Sequence, residues 1–170
     1  RLISSAASDV YKRQDINIQT TQYVSIKNID ELKENENFLP GLLKTTTLGY
    51  DGKGQYKLNS KKDISNEIDF SKEYILEKFI NLKKEISVII TRFGNQKYEI
   101  YEPIENVHED QILKHSKIPA DVSKAIIIKS TEWSKKIVED LDYIGTLCVE
   151  FFIDKNDNLY AVSYTHLRAH

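Results

Sequence analysis

The chain has 170 residues, of which 40% are hydrophobic and 29% are charged, and its formal net charge is −2. This balance is typical of a globular protein and leaves no basic surface for nucleic acid. Because Cys148 is the single cysteine, the sequence excludes an internal disulfide framework and a cysteine-rich metal site. No apolar run reaches membrane-spanning length and no signal peptide is evident, so we expect a cytoplasmic protein without nucleic-acid or membrane partners.

The two ends of the sequence differ from its middle. The strings RLISSAASDVYKRQ and SYTHLRAH have no pattern that joins them to their neighbours, and they resemble translated adapter sequence from DNA sequencing. We therefore predict that residues 1–14 and 163–170 are non-native ends, and the fold prediction leaves them out.

The first part of the sequence predicts one short helix and several strands. Asn28 and Glu31 have the spacing of a capping box, which opens a helix that ends near residues 35–40. Residues 59–72 are polar and irregular, which favours a loop with at most one helical turn. Strands are predicted at 42–46, 55–58 and 74–80.

The second part predicts further strands and the longest helix. Gly94 and the two residues after it form the turn of a predicted β-hairpin. Apolar residues at helical spacing predict a helix over 121–141, capped by Asp121. Strands are predicted at 86–93, 98–101, 145–154 and 159–162. Since strands outnumber helices and pair mostly with their sequence neighbours, we predict an α+β fold with mostly antiparallel sheets.

A glycine-rich loop follows the strand at 42–46. Gly49, Gly52 and Gly54 lie at short intervals, so successive backbone N–H groups can point into one concavity and hold phosphate oxygens. Lys44 and Lys53 would add a positive charge at either end of this cradle. The loop lacks the Gly-Lys-Ser/Thr ending of a P-loop, so it indicates another kind of nucleotide-binding loop.

These residues resemble the N5-carboxyaminoimidazole ribonucleotide synthase family of ATP-grasp enzymes. The similarity begins with LKT at 43–45 and GYDGKGQ at 49–55, and four later blocks follow in the family's order. The later blocks are EKFI at 77–80, EISVI at 85–89, PIENVH at 103–108, and DYIG at 142–145 running into VEFF at 149–152. The resemblance covers residues 16–162 and implies an internal fragment of such an enzyme.

The resemblance also implies the domains and the reaction. Residues 15–80 would form the ATP-grasp central lid domain, and residues 81–162 the first part of the C-terminal ATP-grasp domain. In the family's reaction, a step of de novo purine biosynthesis, ATP phosphorylates bicarbonate, and the carboxyphosphate so formed carboxylates aminoimidazole ribonucleotide. ATP and Mg²⁺ would be the cofactors, bicarbonate and aminoimidazole ribonucleotide the substrates, and full-length members are expected to be homodimers.

The resemblance assigns a role to each matching residue. Lys44 and Lys53 would be catalytic residues on the phosphate chain, and the lid over the phosphates would consist of Gly49, Tyr50, Asp51, Gly52, Lys53, Gly54 and Gln55. The adenine would be lined by Glu77, Lys78, Phe79 and Ile80. Glu85 would bind the ribose hydroxyls, and His108, in a predicted loop, would lie near the ATP.

Glu150 is the candidate metal ligand. It interrupts an apolar strand, where an unpaired buried carboxylate would be unfavourable. A Mg²⁺ ion that bridges the ATP phosphates would supply the partner.

The sequence departs from the family after Val162. The family continues with Asn-Glu, which supplies a second metal-binding carboxylate, and then with a Pro-Arg-x-His-Asn-Ser-Gly-His segment on the substrate side, whereas Ser163 and Tyr164 follow here. We therefore expect this polypeptide to be an inactive fragment. Two alternatives stay open: another ATP-grasp ligase, such as the formate-using purine transformylase or a biotin carboxylase, and a nucleotide-binding or structural module without catalysis.

Overall fold

A computed structural model describes residues 16–46, 55–65, 67–109 and 112–167. Contacts divide these residues into two compact units, one formed by residues 21–80 and the other by residues 16–20 together with 81–167. The sequence prediction puts residues 16–20 in the first of these units instead. Among the helices of the described ranges, none is long and apolar enough to cross a membrane.

The first unit is a four-stranded antiparallel sheet with one short helix. Its strands, β1 (Tyr23–Ile26), β2 (Gly41–Thr45), β3 (Gln55–Leu58) and β4 (Tyr74–Lys78), lie in the order β1-β4-β2-β3. The short helix is α1 (Ile29–Glu34), and 3₁₀ turns occupy Glu36–Phe38 and Lys61–Asp63. The predicted cap of α1 is confirmed, because Oδ1 of Asn28 accepts a hydrogen bond from the N–H of Glu31. The returning bond to the Glu31 carboxylate comes from the N–H of Lys27.

The core of the first unit lies on one face of its sheet. It consists of Ile26, Leu32, Leu43, Leu58, Ile68, Tyr74 and Leu76. Since side chains alternate along a strand, Leu43 and Leu76 on this face put Lys44 and Glu77 on the opposite face. Strands β2 and β4 approach closely at Gly41, where a Cβ atom would lie 2.8 Å from the carbonyl oxygen of Glu77.

The second unit is a six-stranded antiparallel sheet covered by one long helix. Its strands are β5 (Leu82–Arg92), β6 (Tyr98–Ile100), β7 (Ile104–Glu109), β8 (Ile112–Lys117), β9 (Gly145–Asp154) and β10 (Leu159–Leu167). The strand order is β10-β9-β5-β7-β8, with β6 paired to β5. The helix is α2 (Lys124–Asp140). The predicted α+β class with mostly antiparallel sheets is confirmed.

Helix α2 packs on the apolar face of the six-stranded sheet. Alternate residues of β5 and β9, such as Ile86 and Phe151, are fully buried there, and the Trp133 ring of α2 lies 6.4 Å from the Phe151 ring. The opposite face therefore carries the intervening residues of the same strands, and these are mostly polar.

Three strands are absent from the sequence prediction. Strand β1 has only four residues, and every residue of the edge strand β8 is exposed, so neither shows a strong period-two apolar pattern. In strand β7 two polar residues follow each apolar one, so it also lacks period-two alternation, and none of its residues is fully buried. The prediction that His108 lies in a loop is wrong, because His108 is part of β7.

Several boundaries also differ from the prediction, most by one or two residues, whereas β5 begins at Leu82, four residues before its predicted start. Helix α2 is capped by Ser123, whose hydroxyl accepts a hydrogen bond from the N–H of Ile126, and not by Asp121. Strand β10 continues beyond Val162 to Leu167 and pairs with β9 on both sides of a register shift at Val162, so leaving residues 163–167 out of the fold is wrong. Their origin as non-native residues stays a prediction.

Candidate functional site

An ion pair lies on the face of the first unit's sheet that is opposite to its core. Strands β2 and β4 place Lys44 and Glu77 as diagonal neighbours, with Nζ of Lys44 2.7 Å from Oε2 of Glu77. The two side chains are 21% and 12% exposed, so water screens their attraction only in part. Gln55 lies opposite Lys44 on the next strand and is exposed.

The segment after Glu77 is predicted to line an adenine ring. Two of its backbone amides already have partners: the N–H of Lys78 donates to Gln22 O at 2.9 Å and that of Phe79 to Pro40 O at 3.0 Å. The Phe79 ring is 37% exposed, and the ammonium group of Lys57 lies 5.5 Å from its centroid. A base stacked on Phe79 would therefore depend on the amide of Ile80 and on carbonyl groups of the segment.

The polar face of the second unit brings three predicted site residues together. Strands β5, β7 and β9 run side by side, and their register puts Glu85, His108 and Glu150 on one face. Nδ1 of His108 lies 3.1 Å from Oε2 of Glu85. Glu150 is opposite Ser87 and so diagonal to Glu85.

Negative charge accumulates on this face. Burial raises the pKa of Glu85 above its ordinary value; the neighbouring His108 counteracts this rise, and the Glu150 carboxylate adds to it. Burial also raises the pKa of the Cys148 thiol, again with a contribution from Glu150. Because the two carboxylates repel each other, the face is suited to positive charge or to hydrogen-bond donors such as sugar hydroxyls.

A chain of hydrogen bonds runs beside the Glu85–His108 pair. The Ser116 hydroxyl donates to Oδ1 of Asn106 at 2.8 Å, and Nδ2 of Asn106 donates to the Ser87 hydroxyl at 3.1 Å. These bonds tie β8, β7 and β5 together on the polar face. They fix the backbone positions from which Glu85 and His108 project.

Glu150 is not the unpaired carboxylate that the sequence suggests. The hydroxyl of Ser163, opposite it on β10, donates a short hydrogen bond to its Oε2. The carboxylate keeps acceptor positions beyond this bond. Within the described ranges, no group of three or more His, Cys, Asp or Glu side chains could hold a metal ion.

Several predicted residues lie elsewhere. Gly49, Tyr50, Asp51, Gly52, Lys53 and Gly54 fall outside the described residues. Lys78 is exposed and lies on the opposite face of β4 from Glu77. The sequence analysis missed Ser87, Asn106, Ser116 and Ser163, all on the polar face of the second unit. The spacing Glu85-x-Ser87 and Asn106-x-His108 could have shown the first two, since alternate residues share a face.

The chain is similar in sequence to a known protein family and to enzymes within it. The model of the ATP-grasp domain matches residues 12–170. An N5-carboxyaminoimidazole ribonucleotide synthase of Staphylococcus aureus is 40% identical over 136 residues, which are 79% of this chain and 36% of that protein. The chain thus spans little more than a third of that relative's length.

Two solved structures share the fold. An N5-carboxyaminoimidazole synthetase from S. aureus, complexed with ADP, superposes with a TM-score of 0.86 at 31% identity, over 99% of this chain and 46% of that one. An N5-carboxyaminoimidazole synthase from Aspergillus clavatus, in complex with ADP and 5-aminoimidazole ribonucleotide, has a TM-score of 0.82 at 25% identity. The superposition covers 95% of this chain and 44% of the Aspergillus chain.

Proposed function

The chain belongs to the ATP-grasp family, and we propose that it is part of an enzyme that carboxylates aminoimidazole ribonucleotide with bicarbonate and ATP. In this reaction ATP phosphorylates bicarbonate to give ADP and carboxyphosphate, whose carboxyl group then passes to the amine of the ribonucleotide with release of phosphate. The step belongs to purine biosynthesis.

One observation carries the proposal. Over 95% of its length the chain has the fold of a synthase that binds both ADP and 5-aminoimidazole ribonucleotide. Each unit supplies suitable chemistry on the sheet face opposite to its core, because one face carries a lysine ammonium group and the other carries two neighbouring carboxylates with a histidine.

Each residue has a defined task in this proposal. Lys44 binds phosphate oxygens through its ammonium group, as Lys53 and the glycine-rich loop do. Glu85 accepts hydrogen bonds from the ribose hydroxyls, and His108 holds its carboxylate in place from β7. Phe79 stacks on the adenine ring.

Glu150 fits as one ligand of a Mg²⁺ ion. Such ions commonly take one or two protein carboxylates together with phosphate oxygens and water. The repulsion between Glu150 and Glu85 favours a cation on this face. When bound, Mg²⁺ would neutralise phosphate charge.

Thermal unfolding of the chain with magnesium-ATP tests the proposal. A ligand that binds only the folded state stabilises it by about 2.7 kcal/mol at 100 times its dissociation constant. We expect ATP and ADP to raise the melting temperature in a saturable manner. The matched control is Lys44→Ala, for which we expect a smaller shift at the same ATP concentration.

Absence of a shift at millimolar nucleotide would favour a structural module without nucleotide binding. A shift with ATP and a further shift with biotin or formate would favour another ATP-grasp ligase. A shift with ATP and a further shift with aminoimidazole ribonucleotide in the presence of ADP supports the carboxylase proposal.

A further inference from the structure

Glu105 lies in the block PIENVH at 103–108 but has no task in the proposed function. On β7 it is directly opposite Ile86 of β5, whose side chain is fully buried on the face that α2 covers. Since side chains alternate along a strand, Glu105 points to this face, whereas Glu85 and His108 lie on the other. Glu105 therefore points away from a nucleotide bound at Glu85.

Glu105 closes a hydrogen-bonded network between β5, β7 and the segment before α2. Its Oε2 accepts hydrogen bonds from Nζ of Lys84 at 3.1 Å and from the N–H of Asp121 at 3.2 Å. Nζ of Lys84 also donates to the carbonyl oxygen of Asp121 at 2.7 Å and to its carboxylate at 3.3 Å. The ammonium group thus has three acceptors for its three N–H donors, which leaves none for a ligand.

Stability alone gives little reason for this network. The Lys84 and Glu105 side chains are 22% and 17% exposed, so both charges have lost much of their water. This desolvation offsets much of their attraction. What the network does provide is a fixed position of β5 against β7.

The network lies next to the residue to which the proposed function assigns the ribose. Lys84 precedes Glu85 on β5, and Asn106, which follows Glu105 on β7, is directly opposite Glu85. The Glu85 carboxylate lies 3.1 Å from Nδ1 of His108, and in the proposed function it also accepts hydrogen bonds from the ribose hydroxyls. A binding group must be held within about 0.5 Å of its productive position, so a movement of β5 against β7 would weaken these bonds.

We propose, on the basis of the proposed function, that Glu105 is a positioning residue for Glu85. From the α2 side of the sheet its carboxylate holds Lys84, and this fixes β5 against β7 at the point where Glu85 projects towards the ribose. Glu105 thus sets how strongly the site prefers a nucleotide with ribose hydroxyls, although it contacts no part of that nucleotide.

A structural role and a positioning role predict different results when both charges are removed. Replacing a shielded ion pair by apolar side chains of similar size often leaves a protein as stable as before. If Lys84 and Glu105 contribute only to stability, the double variant Lys84→Met/Glu105→Met should bind nucleotides as the wild type does. If they position Glu85, the double variant should fold but lose its preference for ribose hydroxyls.

Calorimetric titration of the 170-residue chain with ATP and with 2′,3′-dideoxy-ATP, both with Mg²⁺, tests the proposal. The dideoxy nucleotide keeps the base and the phosphates but has no hydroxyl for Glu85 to bind. We expect the wild type to bind ATP about tenfold more tightly than the dideoxy nucleotide, and the double variant to bind both about equally. The affinity for the dideoxy nucleotide should stay unchanged, because Glu105 acts only through Glu85.

Glu109→Met is the matched control. Glu109 lies further along β7 and forms an exposed ion pair with Lys114, so its replacement should leave the preference for ATP unchanged. Circular dichroism melts establish that each variant folds. Glu105→Gln keeps an acceptor oxygen but loses the charge, so it should lose part of the preference, and it decides the question if the double variant does not fold.

Two results would overturn the proposal: a double variant with the wild-type preference for ATP, or equal losses of affinity for both nucleotides. A wild-type chain without any preference would overturn the ribose role of Glu85 and this inference with it. A wild-type chain that binds neither nucleotide would instead overturn the proposed function on which this inference rests.

Discussion

Glu85 is held where its own charge is unfavourable in the folded protein. Its side chain is 18% exposed, and burial and Glu150 both raise its pKa. His108 offsets only part of this cost. A binding site often requires such residues, because a desolvated acceptor forms stronger hydrogen bonds to its ligand.

We therefore expect Glu85→Gln to raise the free energy of unfolding at pH 7 and to lower ATP affinity about tenfold or more. The pKa of Glu85 lies above its ordinary value of 4.5 in the folded state, so the folded chain binds the proton more tightly. The contribution of Glu85 is thus fully favourable below pH 4.5 and is lost as the pH rises through the folded-state pKa.

Urea unfolding at about pH 4 and about pH 7, with ATP titration, measures both effects. The gain from Glu85→Gln should be present at the neutral pH and nearly absent at the acidic one. Glu109→Gln is the control, because Glu109, on β7 beside His108, is 67% exposed and forms an ion pair with Lys114 on β8. An equal gain at both pH values would show that burial of the charge is not the cause.

Ser163 occupies the position directly opposite Glu150, so Glu150 has no second carboxylate as its cross-strand partner. The two residues are direct partners in the β9–β10 register, and the serine hydroxyl already donates to the carboxylate. A glutamate at this position would place two like charges directly opposite each other, which destabilises a sheet.

We expect Ser163→Glu to lower the stability by about 1 kcal/mol without Mg²⁺, and millimolar Mg²⁺ to restore it. The measurement is the melting temperature with and without the ion, where about 1 kcal/mol corresponds to roughly 2–4 °C. Ser163→Ala, which adds no charge, should not respond to Mg²⁺. A Ser163→Glu variant indifferent to Mg²⁺ would contradict a metal site at Glu150.

At the scale of elements, the start of α2 is a boundary that a tertiary contact decides and the local sequence does not. Both Asp121 and Ser123 are suitable capping residues. Nζ of Lys84 on β5 donates hydrogen bonds to the carbonyl oxygen of Asp121 at 2.7 Å and to its carboxylate at 3.3 Å. Since Asp121 is bound there, Ser123 is the residue that caps α2. A contact between residues far apart in sequence therefore decides where the helix begins.

We expect Ser123→Ala to lower the free energy of unfolding by about 1 kcal/mol, the usual contribution of an N-cap. Asp121→Ala should cost about 0.5 kcal/mol or less, because the Asp121 side chain is 81% exposed and its ion pair with Lys84 is screened by water. Urea unfolding followed by circular dichroism measures both. The reverse order of effects would restore Asp121 as the cap.

At the scale of the whole molecule, the described residues include more of the residues proposed to bind nucleotide than of the ligands that a metal site would need. Glu150 faces a serine, and no cluster of three metal-ligating side chains occurs in the ranges that the structure describes. The chain also spans only 36% of the length of its S. aureus relative.

We therefore expect the 170-residue polypeptide to bind ATP but to release no ADP at a native-like rate with bicarbonate and aminoimidazole ribonucleotide. A coupled assay for ADP measures this, and a full-length relative with the same substrates is the positive control. Turnover at the relative's rate would show that a second carboxylate is not required.

Elements with strong local signals are specified by the amino-acid sequence alone. Strand β9 and strand β3 have the predicted bounds, and the long helix carries the predicted apolar stripe, because alternation and helical periodicity are properties of neighbouring residues. The ordered blocks around Lys44, Glu77, Glu85 and Glu150 likewise indicate the family from the residue order alone.

Which side chains meet, by contrast, depends on the tertiary structure. Residues on adjacent strands form the pairs Lys44–Glu77, Glu85–His108 and Glu150–Ser163. The strand register brings each pair together, and no local sequence pattern predicts that register. The exposed edge strand β8 escapes prediction for the same reason, since its backbone is held by hydrogen bonds to β7 and not by apolar side chains of its own. Local periodicity is encoded residue by residue, whereas register depends on how the whole sheet buries its apolar face.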